Sequence, residues 1–401
     1  MTYQLFVEVG AIPPGGGTPA YVDVSDFALN EVSISYGRQT IDQFVDPSSC
    51  SITFLLDSSI GQFDFDAFDL GYVVRVRAVI DGYGADRIRF LGVVTDMSID
   101  RETMTVSAVS QLISRYGKYL LPTTIATIGT AGDICSDIAT AAIPGIPNFI
   151  TGGMANYWAP GTITLDADFA AGTNALEALL TTAGSEPYGF IYEDFNSAGM
   201  RSNDQNSRIQ PTPNITLTGD EIIDEWEVSK SVTSQLNRVI VNYVGGQTTY
   251  TIPSSLGELE KTYDTIIVNL ADADMFATMT GARGENLRYE IPKATIPVAT
   301  LSSSRQNQLM SNVYPYGIRM NSFVRLPFIR SYVQRDYFVE GWSETISKHR
   351  WDWTLHLSDI GRSRYFQKWN QINSDPLVGP VLTWNDVQAT QTWADLYYDW
   401  I

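Results

Sequence analysis

Along residues 1–115 apolar and polar positions follow a period of two, the mark of strands that bury one face. Leu5, Val7 and Val9 share a face, and Val22-Asp23-Val24, Val32-Ser33-Ile34 and Ile52-Thr53-Phe54-Leu55 continue the pattern or form short apolar runs. The turn-forming run Pro13-Pro14-Gly15-Gly16-Gly17 lacks the Gly-Lys-Ser/Thr of a phosphate loop and precedes no helix signal, so it reads as a hairpin tip.

Between residues 120 and 225 the period lengthens. Asp133 to Ala142 places Ile134 and Ile138 on one side, and Asn174 to Ala183 does the same with Leu176, Leu179 and Leu180. Asn174 followed three residues later by Glu177 predicts a capping box, and Gly184 stands where a left-handed stop is expected. A strand is expected at Tyr188 to Glu193, and the polar run Asn196 to Pro213 reads as a loop or linker. Strand patterns resume at Trp226-Glu227-Val228 and Val239 to Tyr243 and persist to Ser358, interrupted from Ala271 to Asn312 by a loop-rich, partly helical interval.

One pattern is written twice. Phe90-Leu91-Gly92-Val93-Val94 matches Val339-Glu340-Gly341-Trp342-Ser343 at an offset of 249, the distance from Gly92 to Gly341. At that offset Met104, Val106 and Ala108 align with Trp353, Leu355 and Leu357 beyond a turn. Upstream, Val73 to Arg77 and Phe323 to Leu326 each supply a strand carrying arginine, one residue out of that register. The fold class expected is therefore mainly β with an α+β insert: a duplicated antiparallel β domain split by a smaller one. The boundaries are 1–118 for the first β domain, 119–225 for the insert, 226–362 for the second β domain and 363–401 for a C-terminal arm. That arm carries Trp369, Trp384, Trp393 and Trp400, candidate partner-binding aromatics.

Composition narrows the function. Charged residues make up 18% of the 401 and aromatics 12%, a chain able to hide much surface, partly in partners. A formal charge of −19 removes the electrostatic term that drives nucleic-acid binding. Cys50 and Cys135 are too few for a disulfide framework and lack zinc spacing. No run approaches the roughly 18 apolar residues of a membrane span, and the N-terminus lacks a basic region followed by an apolar stretch, so synthesis and initial retention in a cytoplasm are expected.

Candidate chemistry is sparse. His349 lies at a hairpin tip and His356 on the polar face of a strand, both read as surface residues, and no Gly-x-Ser-x-Gly, His-Glu-x-x-His or cysteine–histidine motif occurs. Asp64, Asp66 and Asp69 lack the glycine and terminal glutamate of a helical calcium loop and read as a solvated turn. No catalytic residue, metal or cofactor is expected.

Several segments in order resemble a family. Tyr36-Gly37-Arg38, Ser51 to Asp57, Leu70-Gly71-Tyr72-Val73-Val74-Arg75-Val76 and Phe90-Leu91-Gly92 are similar to the opening domain of tail hub and minor tail proteins of long-tailed bacteriophages. Leu236 to Val241, Thr383-Trp384-Asn385 and Thr392-Trp393-Ala394 resemble minor tail proteins of phages of actinobacteria. Ser58 stands where the family pattern has Asn.

The resemblance implies a tail-tip hub whose two tube-like domains per subunit give a homotrimer pseudo-sixfold symmetry. Its expected partners are distal tail or tail-tube proteins, a tape-measure protein and tip or receptor-binding proteins, with DNA passing a channel unbound. The alternatives are a distal tail protein forming a hexameric ring and a carbohydrate-binding or carbohydrate-cleaving tail protein. The location implied is the virion tail tip.

Overall fold

The computed structural model describes residues 3–12, 19–25, 29–40, 45–56, 68–83, 86–110, 116–142, 157–194, 199–203, 213–223, 227–229, 236–253, 259–282, 289–311, 317–327, 333, 335–347 and 349–359. Pro13 to Gly17, Asp64, Asp66 and the four tryptophans of the arm lie outside them.

The alternating N-terminal region folds as β1 (Tyr3–Gly10), β2 (Val22–Asp23), β3 (Leu29–Gly37), β4 (Asp46–Leu55), β5 (Val73–Ile80), β6 (Asp86–Ile99) and β7 (Thr103–Ser110). Their order in space is β2-β1-β5-β6-β7-β4-β3, with every neighbouring pair antiparallel. Each strand sends one set of side chains inward: Val32, Ile34 and Tyr36 from β3, Cys50, Ile52 and Phe54 from β4, Met104, Val106 and Ala108 from β7.

Next come β8 (Ile125–Gly129), α1 (Ala131–Ala142), β9 (Leu165–Phe169), α2 (Ala175–Gly184), β10 (Phe190–Asp194), β11 (Gly199–Asn203) and β12 (Ile215–Thr216). They are followed by β13 (Arg238–Tyr243), β14 (Gly246–Thr251), β15 (Glu260–Asp264) and α3 (Leu270–Ala282). Ile134 and Ile138 are buried as the helical spacing predicts. The Asn174 side chain accepts from the amides of Leu176 and Glu177, so the Asn174 half of the expected capping box forms. Gly184 is not the left-handed stop: the helix closes on Ser185 in a right-handed conformation, and the first left-handed residue is Tyr188 at φ 58°. The polar run after Asn196 is not all loop. Gly199 to Asn203 pairs antiparallel with β10, because Met200 and Ser202 alternate into buried positions behind an otherwise polar sequence.

The chain finishes its described part with β16 (Lys293–Pro297), α4 (Ser303–Leu309), β17 (Phe323–Arg325), β18 (Asp336–Ile346) and β19 (Trp351–Asp359). In space these strands run β17-β18-β19-β16, all antiparallel. That is the order and direction of β5-β6-β7-β4, so a four-strand unit does occur twice.

Matching landmarks recur in both units. Gly71 N and Val94 N bond Val94 O and Tyr72 O; Asn321 N and Val339 N bond Val339 O and Ser322 O. Gly71 (φ 87°) and Asn321 (φ 65°) are both left-handed there. A bulge follows in each, between Val94 and Asp96 and between Val339 and Gly341. Each hairpin then closes on an equivalent bond, Asp100 N to Thr103 O and Ser347 N to Arg350 O.

The turns are thus 247 residues apart and the bulges 245, against the 249 read from Gly92 and Gly341. Both slips are even, and a slip by two keeps every side chain on its face, so alternation alone does not distinguish them. The arm beyond the bulge is four residues long in β6 (Asp96–Ile99) and six in β18 (Gly341–Ile346).

The two units share one core. Residues from β1 to β7 and from β16 to β19 form a single apolar cluster, while a second cluster joins 116–200 with Val239, Val241, Ile267, Ala273, Phe276 and Ala277. Strands β13 and β15 and helix α3, inside the range expected for the second β domain, therefore pack with the helical region. No helix among the described residues is long and apolar enough to cross a membrane.

Candidate functional site

The sheet does not stop at the boundary between the units. Strand β3 pairs antiparallel with β18, Gly37 facing Gly341 and Val32 facing Ile346, so twelve strands form one sheet. At the crossing point two glycines oppose each other. A Cβ on Gly341 would lie 2.4 Å from Tyr36 O and 2.6 Å from Arg38 O, and one on Gly37 would lie 2.7 Å from Glu340 O. Gly37 also adopts φ 78°. The sequence needs both glycines because two backbones meet there.

Two buried ion pairs span this joint. Arg38, one residue past β3, approaches Glu340 Oε2 through Nε at 2.7 Å and a terminal nitrogen at 2.6 Å, while Ser358 Oγ donates to Glu340 Oε1 at 2.5 Å. The Arg38 guanidinium lies 4.4 Å from the Phe190 ring centre, which ties in the helical region. From β6, Arg89 grips both oxygens of Glu344 at 3.0 and 2.5 Å. Glu344 also accepts the indole N–H groups of Trp342 (2.9 Å) and Trp351 (3.0 Å), and Arg89 sits 4.7 Å from the ring centre of Trp353. Trp342 in turn stacks on Tyr36 of β3 with ring centres 4.2 Å apart. Both carboxylates are fully buried.

These residues were not among the sequence candidates, yet one signal marks them. Trp342, Glu344 and Ile346 occupy the inward positions of β18, so Glu344 is a carboxylate in a core slot, and such a group requires partners.

The opposite face of the same sheet is wet and rich in hydroxyls. Reading across strands, paired residues form three rows: Ser98-Thr105-Thr53-Glu31, Asp96-Ser107-Ser51-Ser33-Thr345-Asp352 and Val109-Ser49-Ser35-Ser343-Thr354-Thr295. All are half-buried or exposed, and the second and third rows cross the joint without a break. Their charged members are Glu31, Asp96 and Asp352, with Lys293 beside them at the β16 edge.

The residues singled out for possible chemistry are scattered. His349 is exposed at the β18–β19 turn, as expected. His356 is not a surface residue: it is 7% exposed, because the last five positions of β19 are covered on both faces. Burial, aided by the nearby Lys293 charge, pushes its pKa down to about 4. Its neutral form is thus favoured in the fold, and stability falls as pH drops from the ordinary histidine value near 6.5 toward 4, where the folded form also takes up the proton. Denaturation midpoints across that range will show a larger acid loss for the native chain than for His356→Gln. Asp69 accepts from Leu70 N at 2.7 Å, a turn role. Both cysteines are free and buried, burial raising their thiol pKa values, and among the described residues no group of acidic, histidine or cysteine side chains is placed to hold a metal.

Solved structures share this architecture. A tail protein from Neisseria meningitidis MC58 is similar over 91% of this chain and all of its own, with a TM-score of 0.59 and 15% identity. The 43 kDa tail protein of prophage MuSo2 from Shewanella oneidensis matches over 89% and 99% (TM-score 0.57, 9% identity). This chain has the fold of phage tail proteins. Prophage tail protein gp18 from Listeria monocytogenes EGD-e is also similar, over 88% and 95% (TM-score 0.50, 10% identity). No family model matches the sequence, and no curated protein matches it.

Proposed function

We propose that the chain is a structural subunit of the phage tail tip, a baseplate hub that adapts the tail tube to the tip complex and encloses the channel for DNA ejection. The observation that carries the proposal is the continuous sheet in which two equivalent units stand side by side with one wet, hydroxyl-rich face. Two units per chain suit a threefold assembly beneath a sixfold tube better than a ring built from six single-unit chains. The wet face suits a conduit. Cations are few there, with Lys293 at the β16 edge and Arg350 engaged by Asp352, and hydroxyls offer a sliding polyanion only weak, exchangeable contacts.

Electron microscopy of virions carrying a tagged chain, combined with native mass of the assembled protein, tests the reading. Label at the tail tip and a mass of three chains are expected. Label along the tube or on the head, or a six-chain ring, overturns it.

A further inference from the structure

In the helical region, strand β8 has one bare edge. Its ladder to β9 uses one side, and β9 is closed beyond that by Asp166 N bonding Ile266 O and Val268 N bonding Thr164 O. Among the described residues nothing pairs with the far side of β8. Free edges are ordinarily guarded by charge or proline, as the edge strand β15 is by Glu260, Lys261 and Asp264. Strand β8, with the sequence Ile-Ala-Thr-Ile-Gly, carries neither. Its Ile128 is 65% exposed, more than any other large apolar side chain among the described residues.

The charge around this edge has one sign. On the outer face of the ribbon Asp166 lies opposite Ile128, and Asp168 lies opposite Ala126. On the inner side α1 brings two more acids under the strand: a Cβ on Gly129 would lie 3.6 Å from Asp133 Cβ, and Thr127 Oγ1 is 3.4 Å from Asp137 Oδ2. Asp133 and Asp137 bond only threonine hydroxyls, and among the described residues none of the four acids has a basic partner.

We infer that the β8 edge is the docking surface for an extended basic segment of another tail protein, which adds a strand beside Ile125 to Gly129. Main-chain bonds supply the attachment, and alternation sorts the side chains of the added strand. Those pointing inward are basic and meet Asp133 and Asp137, while those pointing outward are apolar and cover Ile128. A second copy joined edge to edge would set these acids against their own duplicates, which like-charge repulsion disfavours. That the partner belongs to the tail rests on the proposed function; the open edge and its charges do not.

The test titrates the full-length chain with a short blocked peptide alternating valine and lysine, with a valine–glutamate peptide as control. Hydrogen exchange will show new protection within residues 125–129 for the lysine peptide and none for the glutamate peptide, and added salt will weaken the binding. Ile128→Lys and Asp137→Lys, both at exposed positions, will keep the native denaturation midpoint while each weakens binding about tenfold. In intact tails the same amides will exchange more slowly than in the isolated chain.

No protection by the lysine peptide, equal protection by both peptides, or unaltered binding by the two variants overturns the edge and leaves the hub reading to its own label test. Protection that grows with the concentration of the isolated chain makes a second copy the occupant, and unprotected amides in tails labelled at the tip remove the tail partner; either result overturns the inference. A label away from the tip overturns the hub reading alone, since peptide binding to the isolated chain does not depend on where the chain sits in the virion.

Discussion

Glu344→Ala will destabilise the chain by about 3–5 kcal/mol, measured as a shift of the chemical denaturation midpoint at constant slope. The substitution strands Arg89 in a site where its side chain is 8% exposed and leaves the indole N–H groups of Trp342 and Trp351 without their acceptor. A buried charge deprived of its counter-ion costs more than the pair contributed, because its desolvation is no longer offset. The double variant Arg89→Met with Glu344→Leu separates these terms. It removes both charges, so the larger part of the loss returns, and what remains, about 1–3 kcal/mol for each indole donor left dry, measures the tryptophans. A double variant as unstable as the single one would mean that the ion pair is not the source of the effect.

Gly341→Ala will be nearly as costly, about 3–4 kcal/mol, an unusually large effect for adding one methyl group. The added carbon meets two backbone oxygens, Tyr36 O of the facing strand and Arg38 O just past its end, and neither is the end of a flexible side chain. The only relief is for β3 and β18 to part. Hydrogen exchange should therefore quicken at residues 32–37 and 341–346, while β5 to β7 keep their protection. Gly219→Ala is the control: a Cβ there meets nothing within 4 Å, and the change should fall within about 0.5 kcal/mol of the native chain. Equal losses at both glycines would show that the close crossing is not what makes Gly341 necessary.

Much of the first unit was legible because its strands alternate cleanly: Val7 with Val9, Val32 with Ile34, and Ile52 with Phe54 all reach the core their periodicity assigns. The cap of α2 was legible because an Asn side chain acts within three residues. The repeat was visible through its arginines and alternating faces, but its register was not, since a slip by two leaves alternation intact and only the bulges and turns resolve it. Distant packing was hidden altogether. Nothing local in Arg238 to Tyr243 tells whether β13 closes the second unit or, as it does, packs with α3 in the cluster of the helical region. His356 misled for a related reason, since a polar residue among alternating positions reads as outward unless something covers that face too. The joint was half legible: Gly37 and Gly341 stood out as motif residues, whereas the facing of one by the other joins positions some three hundred residues apart.

The burial of the two ion pairs at the joint sets how it responds to salt. Exposed pairs such as Arg350 with Asp352, or Arg238 with Glu260, are reached by counter-ions and weaken as ionic strength rises. Arg38 with Glu340 and Arg89 with Glu344 are shielded by tryptophan, phenylalanine and the sheet itself, so mobile ions do not screen them. The seam between the units is in that sense electrically insulated, and its ion pairs should change little between dilute and concentrated salt.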